Sequence, residues 1–383
     1  MAPISTYASA LLLLSSCLAE AIPTRFNKRT FSIKETPVKR SLSSGENPYR
    51  KRDIRRRNNK DGEESSAVAT SISGDIEYLL PVKIGNGTFN MQLDTGSSDL
   101  WVFSENNKRA GKHPRYKPSK NGKKIPHSVW DIAYADQSGA YGEVWTDTVS
   151  IDGLSYRNQG VEVATYATDS LLDDKDNDGI IGFGFSSANH ATPKQKTFFE
   201  NIVDQLEEPL FTATLKHDSP GTYDFGFIDK EKYTGDITYV DVNPANGYWG
   251  FTVDGFWSGN TTIAKNMSGL ADTGTTLISL DDASAKQYLA DVKGVRDDND
   301  SWTVDCDAKL PDLTFKISGH TVKIPGNSQI PTGEGKNQCY ASAQGGGGDS
   351  TIMGDVFLKT QFVVFKLNDG EHNAQLGFAA QAA

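Results

Sequence analysis

Leu93-Asp94-Thr95-Gly96-Ser97-Ser98 and Ala271-Asp272-Thr273-Gly274-Thr275-Thr276 are two near copies of one hexapeptide, set far apart in the chain. Each is followed by two bulky apolar residues and a glycine: Ile180-Ile181-Gly182 after the first, Ile352-Met353-Gly354 after the second. The interval from the aspartate to that glycine is 88 residues in the first case and 82 in the second. A single Asp-Thr-Gly is ordinary turn chemistry. Two copies with the same partner at a similar offset describe a duplicated lobe. Two such lobes about an approximate twofold axis bring equivalent loops face to face, so that Asp94 and Asp272 meet in the cleft between them.

The residue types around each aspartate suit that meeting. Gly96 and Gly274 permit the backbone to turn sharply and approach closely. Hydroxyls next door, on Ser97 and Thr275, can hydrogen-bond a carboxylate and fix its orientation. Thr95 and Thr273 can reach across and lock the two loops together, with the apolar-apolar-Gly segments packed behind. Two carboxylates at close range do not both ionise, so one keeps a proton. The ionised member then acts as base on a shared water while the protonated one polarises a carbonyl. That chemistry needs no covalent intermediate, no metal and no cofactor.

Around these motifs the chain reads as mostly β. Asp75–Gly85 alternates partly and ends at a turn, Asn90–Asp94 gives a second strand, and Leu100–Phe103 a buried one. Short apolar runs separated by Gly, Asn, Asp and Ser continue to the C-terminus. Helical patterns are few, the clearest at Gln195–Leu206 and Ala283–Val292. Lys51–Ser66 is polar and charged and reads as a linker, with order expected to begin near Gly74.

The 383 residues allow two domains. The apolar run Ala8–Leu14, with a small-x-small site at Ala19-Glu20-Ala21, reads as a secretory signal peptide over residues 1–21. Leu14–Cys17 also resembles a bacterial lipobox, against which the missing basic residues at the start count. No later run is long enough to span a bilayer. Residues 22–60 hold thirteen Lys/Arg against three Asp/Glu, whereas the chain from Asp61 onward carries a net charge of −19. A basic head on an acidic body is either an interaction arm or a segment that folds against the body, and the signal peptide favours the second. Dibasic pairs at Lys28-Arg29, Lys39-Arg40 and Lys51-Arg52 fit processing sites. Once Cys17 leaves with the signal, Cys306 and Cys339 remain as an even pair, which reads as one structural disulfide in an oxidising compartment. Sequons at Asn86, Asn260, Asn266 and Asn299 are candidate glycan acceptors.

On the doubled Asp-Thr-Gly and its downstream partners, the stretch Gly74–Ala380 resembles the pepsin family of aspartic proteases, in the manner of its secreted fungal members. The resemblance implies an all-β bilobal fold with a few short helices, in which residues 69–243 form the N-terminal lobe with its flap and 244–383 the C-terminal lobe. It implies a secreted, extracellular, monomeric endopeptidase that hydrolyses internal peptide bonds of polypeptide substrates at acid pH, with Asp94 and Asp272 catalytic. Thr95, Gly96, Ser97, Thr273, Gly274 and Thr275 support them. Trp130–Gly139 is similar to the β-hairpin flap that closes over substrate. Tyr134 is then the flap tyrosine bonded to Trp101, and Ser97 links Asp94 to the same network. Asp136 sits where some fungal members receive a Lys side chain, beside Ser138, and Tyr78 matches a buried tyrosine near the active-site loop. The family's usual glycines at two flap positions are Ala135 and Gln137 here. Cys306 and Cys339 match the single bridge of the second lobe. Residues 22–68 then form a basic propeptide and linker that acts as an intramolecular inhibitor of the zymogen.

Other signals are weak. Asp174–Gly179 resembles the start of an EF-hand loop but has Phe185 at the twelfth position. Gly345–Gly348 lacks the Lys-Ser/Thr of a phosphate loop, and there is neither an H-E-x-x-H nor a G-x-S-x-G. Basic stretches lack aromatic spacing, so nucleic acid is not an expected partner.

Overall fold

The computed structural model describes residues 63–72, 75–297, 301–328, 330–331, 337–368 and 373–382. The signal peptide, the basic head, its dibasic pairs and the sequon at Asn299 lie outside the described residues. The chain is built of strands with a few short helices. Among the described residues no helix is long and apolar enough to cross a membrane.

The duplication read from the sequence is a duplication of strand pairing. The strand Gly87–Asp94 runs parallel to Gly179–Gly182, with Leu93 opposite Ile181 and Asp94 opposite Gly182. On its other side Gly179–Gly182 pairs antiparallel with Leu100–Phe103. The second half repeats this arrangement. Thr261–Ala271 runs parallel to Ser350–Met353, with Ala271 opposite Met353, and Ile278–Ser279 pairs antiparallel with that strand. Each aspartate thus leaves the end of a strand buried by a parallel neighbour. Near-continuous apolar runs such as Gly179–Gly182 are what such doubly covered strands require.

A broad antiparallel platform joins the halves. Leu210–Lys216 pairs with both Ser219–Phe225 and Gln361–Leu367, and Gln361–Leu367 pairs in turn with Ala374–Gln381. Above it sits an aromatic core. Phe183 is packed among Phe198, Phe199, Phe211 and Phe225, while Phe211 stacks on Phe365 with centroids 4.5 Å apart. Trp249 packs edge-on to Phe365, and its indole N–H donates to the Phe183 carbonyl at 2.7 Å. Residues distant in sequence therefore share one core, and aromatic contacts of this kind add to the area they bury.

Order begins earlier than the polar composition of Lys51–Ser66 implied. Ser65–Ile72 is a strand between Ser219–Phe225 and Glu77–Ile84. Its Ala, Ser and Thr residues make no apolar run of their own, and remote partners supply the burial of Ala67 and Ala69. The following turn is tied down by Asp75, which accepts from Ser71 Oγ, His217 Nδ1 and the buried ammonium of Lys359. The two helical patterns hold in shortened form, as Phe198–Ile202 and Asp282–Leu289. Thr197 and Glu200 cap the first reciprocally, and Asp281 caps the second.

Cys306 and Cys339 are bonded, joining Trp302–Val304 to its neighbour strand Cys339–Tyr340. The bridge closes a loop of 33 residues, for which chain entropy gives a stabilisation of about 3–4 kcal/mol. Replacing both cysteines by serine is expected to lower the free energy of unfolding in urea by about that amount, without loss of cleavage at acid pH and room temperature. The urea midpoint and the cleavage rate of the double variant check this.

Candidate active site

Two loops meet at their tips with matching hydrogen bonds. Thr95 N donates to Thr273 Oγ1 at 3.1 Å, and Thr273 N donates to Thr95 Oγ1 at 3.0 Å. Each hydroxyl then donates across the pair, Thr95 Oγ1 to the Ala271 carbonyl at 2.8 Å and Thr273 Oγ1 to the Leu93 carbonyl at 2.6 Å. These groups are buried, so the loops are fixed by bonds with no competing water.

The carboxylates are held in the same symmetric way. Asp94 Oδ1 accepts from Gly96 N at 2.8 Å and Oδ2 from Ser97 Oγ at 2.5 Å. Asp272 Oδ1 accepts from Gly274 N at 2.8 Å and Oδ2 from Thr275 Oγ1 at 2.7 Å. The glycines are a steric requirement. A Cβ on Gly96 would lie 2.4 Å from Asp272 Cγ, and one on Gly274 would lie 2.2 Å from Asp94 Oδ1. Each carboxylate therefore occupies the space where the opposite loop's side chain would be. Gly182 and Gly354 do the same work behind the loops: a Cβ there would strike Asp99 N at 2.5 Å and Thr275 O at 2.3 Å.

Burial leaves Asp94 5 % and Asp272 7 % exposed. Loss of solvent, and then the charge of Asp272, hold the Asp94 carboxyl well above the usual carboxylate range. The pair is thus set up to retain one proton where isolated carboxylates have lost theirs.

Trp130–Ala133 and Gly139–Ile151 form a hairpin whose tip is Tyr134–Ser138. Tyr134 N donates to the Ser138 carbonyl, and Asp136 Oδ1 accepts from both Ser138 N and Ser138 Oγ. Gln137 lies at φ +67°, where glycine is the comfortable residue. Trp101 Nε1 donates to the Tyr134 hydroxyl at 2.8 Å. Trp101 packs against Phe103 and Trp130, so the hairpin is seated on a rigid aromatic base. Burial, followed by the charge of Asp94, pushes the Tyr134 phenol upward.

Of the residues singled out in the sequence, Tyr78 is a buried tyrosine, as the resemblance implied. It is fully buried and donates to the Lys216 carbonyl at 2.8 Å, leaving no surface for a substrate. Tyr248 was not singled out. Its phenol is pushed up by burial and by the charges of Asp99, Asp94 and Asp272, so it lies within their electrostatic reach. The turn Asn243–Gly247, with Gly247 at φ +83°, carries the chain into it, and that turn was its only signal in the sequence. Asp355 was also missed. It follows Gly354, its carboxyl is fully buried without a hydrogen-bonding partner, and burial holds it well above the usual range.

A model of the family described as eukaryotic aspartyl protease matches residues 77–381. Penicillopepsin-1 of Penicillium rubens is 44% identical over 325 residues, covering 83% of this chain and 81% of that protein. Aspergillopepsin-1 of Aspergillus flavus is 44% identical over 83% of this chain and 80% of its own length. Penicillopepsin-1 of Talaromyces stipitatus is 40% identical with 98% of this chain and 99% of that protein covered.

Proposed function

The chain belongs to the eukaryotic aspartyl protease family and is a pepsin-like aspartic endopeptidase, and from that premise we propose that Asp94 and Asp272 are its catalytic pair. The observation that carries this is the mutual approach of the two carboxylates, each filling the space denied to the other loop's glycine Cβ.

A water between the carboxylates gives a proton to the ionised member and attacks the scissile carbonyl, which the protonated member polarises. The proton taken up then passes to the leaving amine. Ser97 and Thr275 keep the two carboxyl planes oriented through the cycle. An extended substrate adds its backbone to the cleft in the manner of a further β-strand. Tyr134 covers it from the flap, with Asp136 able to receive a Lys side chain next to the cleaved bond. The enzyme acts as a monomer, and its polypeptide substrates have bulky apolar residues flanking the bond.

The enzyme is made as a secreted zymogen whose N-terminal lobe and C-terminal lobe meet near residue 243. The basic segment 22–60 supports this, because its charge opposes that of the acidic body. Acidification protonates carboxylates on the body and weakens that attraction, which frees the cleft. The full-length match to the Talaromyces protein runs through this segment as well.

The full precursor, brought to about pH 4, is expected to cleave denatured haemoglobin in a pepstatin-sensitive manner. Asp94→Asn is expected to lower that rate by about 10³-fold or more. A folded chain freed of its basic head that cleaves nothing sinks this reading.

A further inference from the structure

A second pair of buried carboxyls, Asp99 five residues past Asp94 and Glu162 on the strand Leu154–Ala167, lies beside the strand of Trp101. Asp99 and Glu162 are 0 % and 1 % exposed. They meet on a single amide nitrogen: Asn189 Nδ2 donates to Asp99 Oδ1 at 3.0 Å and to Glu162 Oε1 at 2.8 Å. The other oxygen of Glu162 is buried with no donor beside it, a setting that suits a carboxylic acid and not an anion. The imidazole of His190 closes the cluster from the solvent side, its Nδ1 2.7 Å from Asp99 Oδ2 and its backbone N–H donating to Asp99 Oδ1. Glu162 pairs directly with Trp101 in the parallel strands Leu154–Ala167 and Leu100–Phe103. Trp101 is the residue that holds Tyr134.

We propose that Glu162, paired with Asp99 and capped by His190, is a positioning residue that makes the seat of the flap depend on acid. The proposal rests on the aspartic protease reading of Asp94, Asp272 and Tyr134. In acid, Glu162 keeps its proton and donates towards Asp99, and the imidazolium of His190 offsets the Asp99 charge. On neutralisation His190 loses its charge and Glu162 its proton. Two anions then share one amide nitrogen in a dry site, and their repulsion parts the strand of Trp101 from that of Glu162. Tyr134 loses its donor and the flap its register.

The charged groups facing the cluster agree with this order of events. Around His190 are Asp99 and Asp131, with Lys194 as the opposing cation. Around Glu162 are Asp99 and the hydroxyl of Tyr134. Tyr248 faces Asp99. Burial, then Asp99, raises Glu162 well above its ordinary value, and the hydrogen bond to Asp99 raises His190. A raised carboxyl holds a proton that the unfolded chain has lost, so its contribution falls as pH rises. A raised imidazole contributes fully below its unfolded value of 6.5 and is lost above its folded one. Both act in the same direction.

The test is the pH at which the acid-activated chain inactivates, read by residual cleavage after return to acid and independently by tryptophan emission. Glu162→Gln, which keeps the acceptor for Asn189 and cannot ionise, is expected to move that midpoint up by about one pH unit. His190→Asn is expected to move it down, and by less in the Glu162→Gln background. A Glu162→Gln midpoint equal to wild type, with cleavage lowered evenly at every pH, overturns the proposal and leaves the pair a packing feature. Should Glu162→Gln not fold, an unmoved midpoint in His190→Asn overturns it equally. A wild-type chain without pepstatin-sensitive cleavage would instead sink the dyad reading, while the emission midpoints still judge the Asp99–Glu162 pair.

Discussion

Gly274→Ala is expected to cleave protein at acid pH about 100-fold or more slowly than the wild-type chain, with its far-UV circular dichroism unchanged. The added Cβ would sit 2.2 Å from Asp94 Oδ1. The nearest atoms belong to a side chain, so the fold survives by turning the Asp94 carboxylate aside. Turning it breaks the bonds from Gly96 N and Ser97 Oγ and misdirects the base. Displacement of a reacting group by an ångström suffices for a loss of this size. Gly96→Ala, which presses on Asp272 from the other side, is expected to give the same result. Wild-type turnover in either variant would mean that the carboxylates do not stand in contact with the opposite loops.

Stability is expected to peak at mildly acid pH and to fall towards neutrality by on the order of 10 °C in Tm. Asp94, Glu162 and Asp355 are all raised, burial being the first cause in each. The unfolded chain releases these protons near the ordinary values of 3.8 and 4.5, whereas the folded chain holds them. Stability therefore declines from that range upward. His113 and His190 add to the decline above 6.5, because their raised values make the folded state prefer the charged ring. Asp75, Asp147 and Asp312 are lowered and work at the other end. Their contribution is present above 3.8 and is lost as pH falls through their folded values. Calorimetry across pH 3 to 8 checks the shape, and a Tm that rises towards neutral pH contradicts it.

What the sequence made legible was whatever repeats or pairs at short range. The doubled hexapeptides and the downstream apolar-Gly segments are linear patterns, and each corresponds to a contact in the fold, while the bond between Trp101 and Tyr134 was implied by the resemblance alone. What stayed hidden depends on residues brought together from afar. Asp99, Glu162 and His190 belong to three separate segments, and nothing in any one segment marks them as a cluster. Ser65–Ile72 was concealed by small polar residues whose burial comes from Ser219–Phe225. Tyr78 was singled out by the resemblance as a buried tyrosine and is buried, but that its hydroxyl ends on the Lys216 carbonyl is set by register and not by residue type.

The threonine exchange between the loops is symmetric, but what stands over them is not. Seven residues after Asp94 comes Trp101, with its tyrosine partner, and seven after Asp272 comes Ser279. The second lobe therefore has no indole at that position to seat a hairpin. A peptide has an N-to-C direction, which two equivalent aspartates cannot sense. On the proposed function, the one-sided hairpin is the feature that would distinguish the two directions in which a substrate chain could thread the cleft.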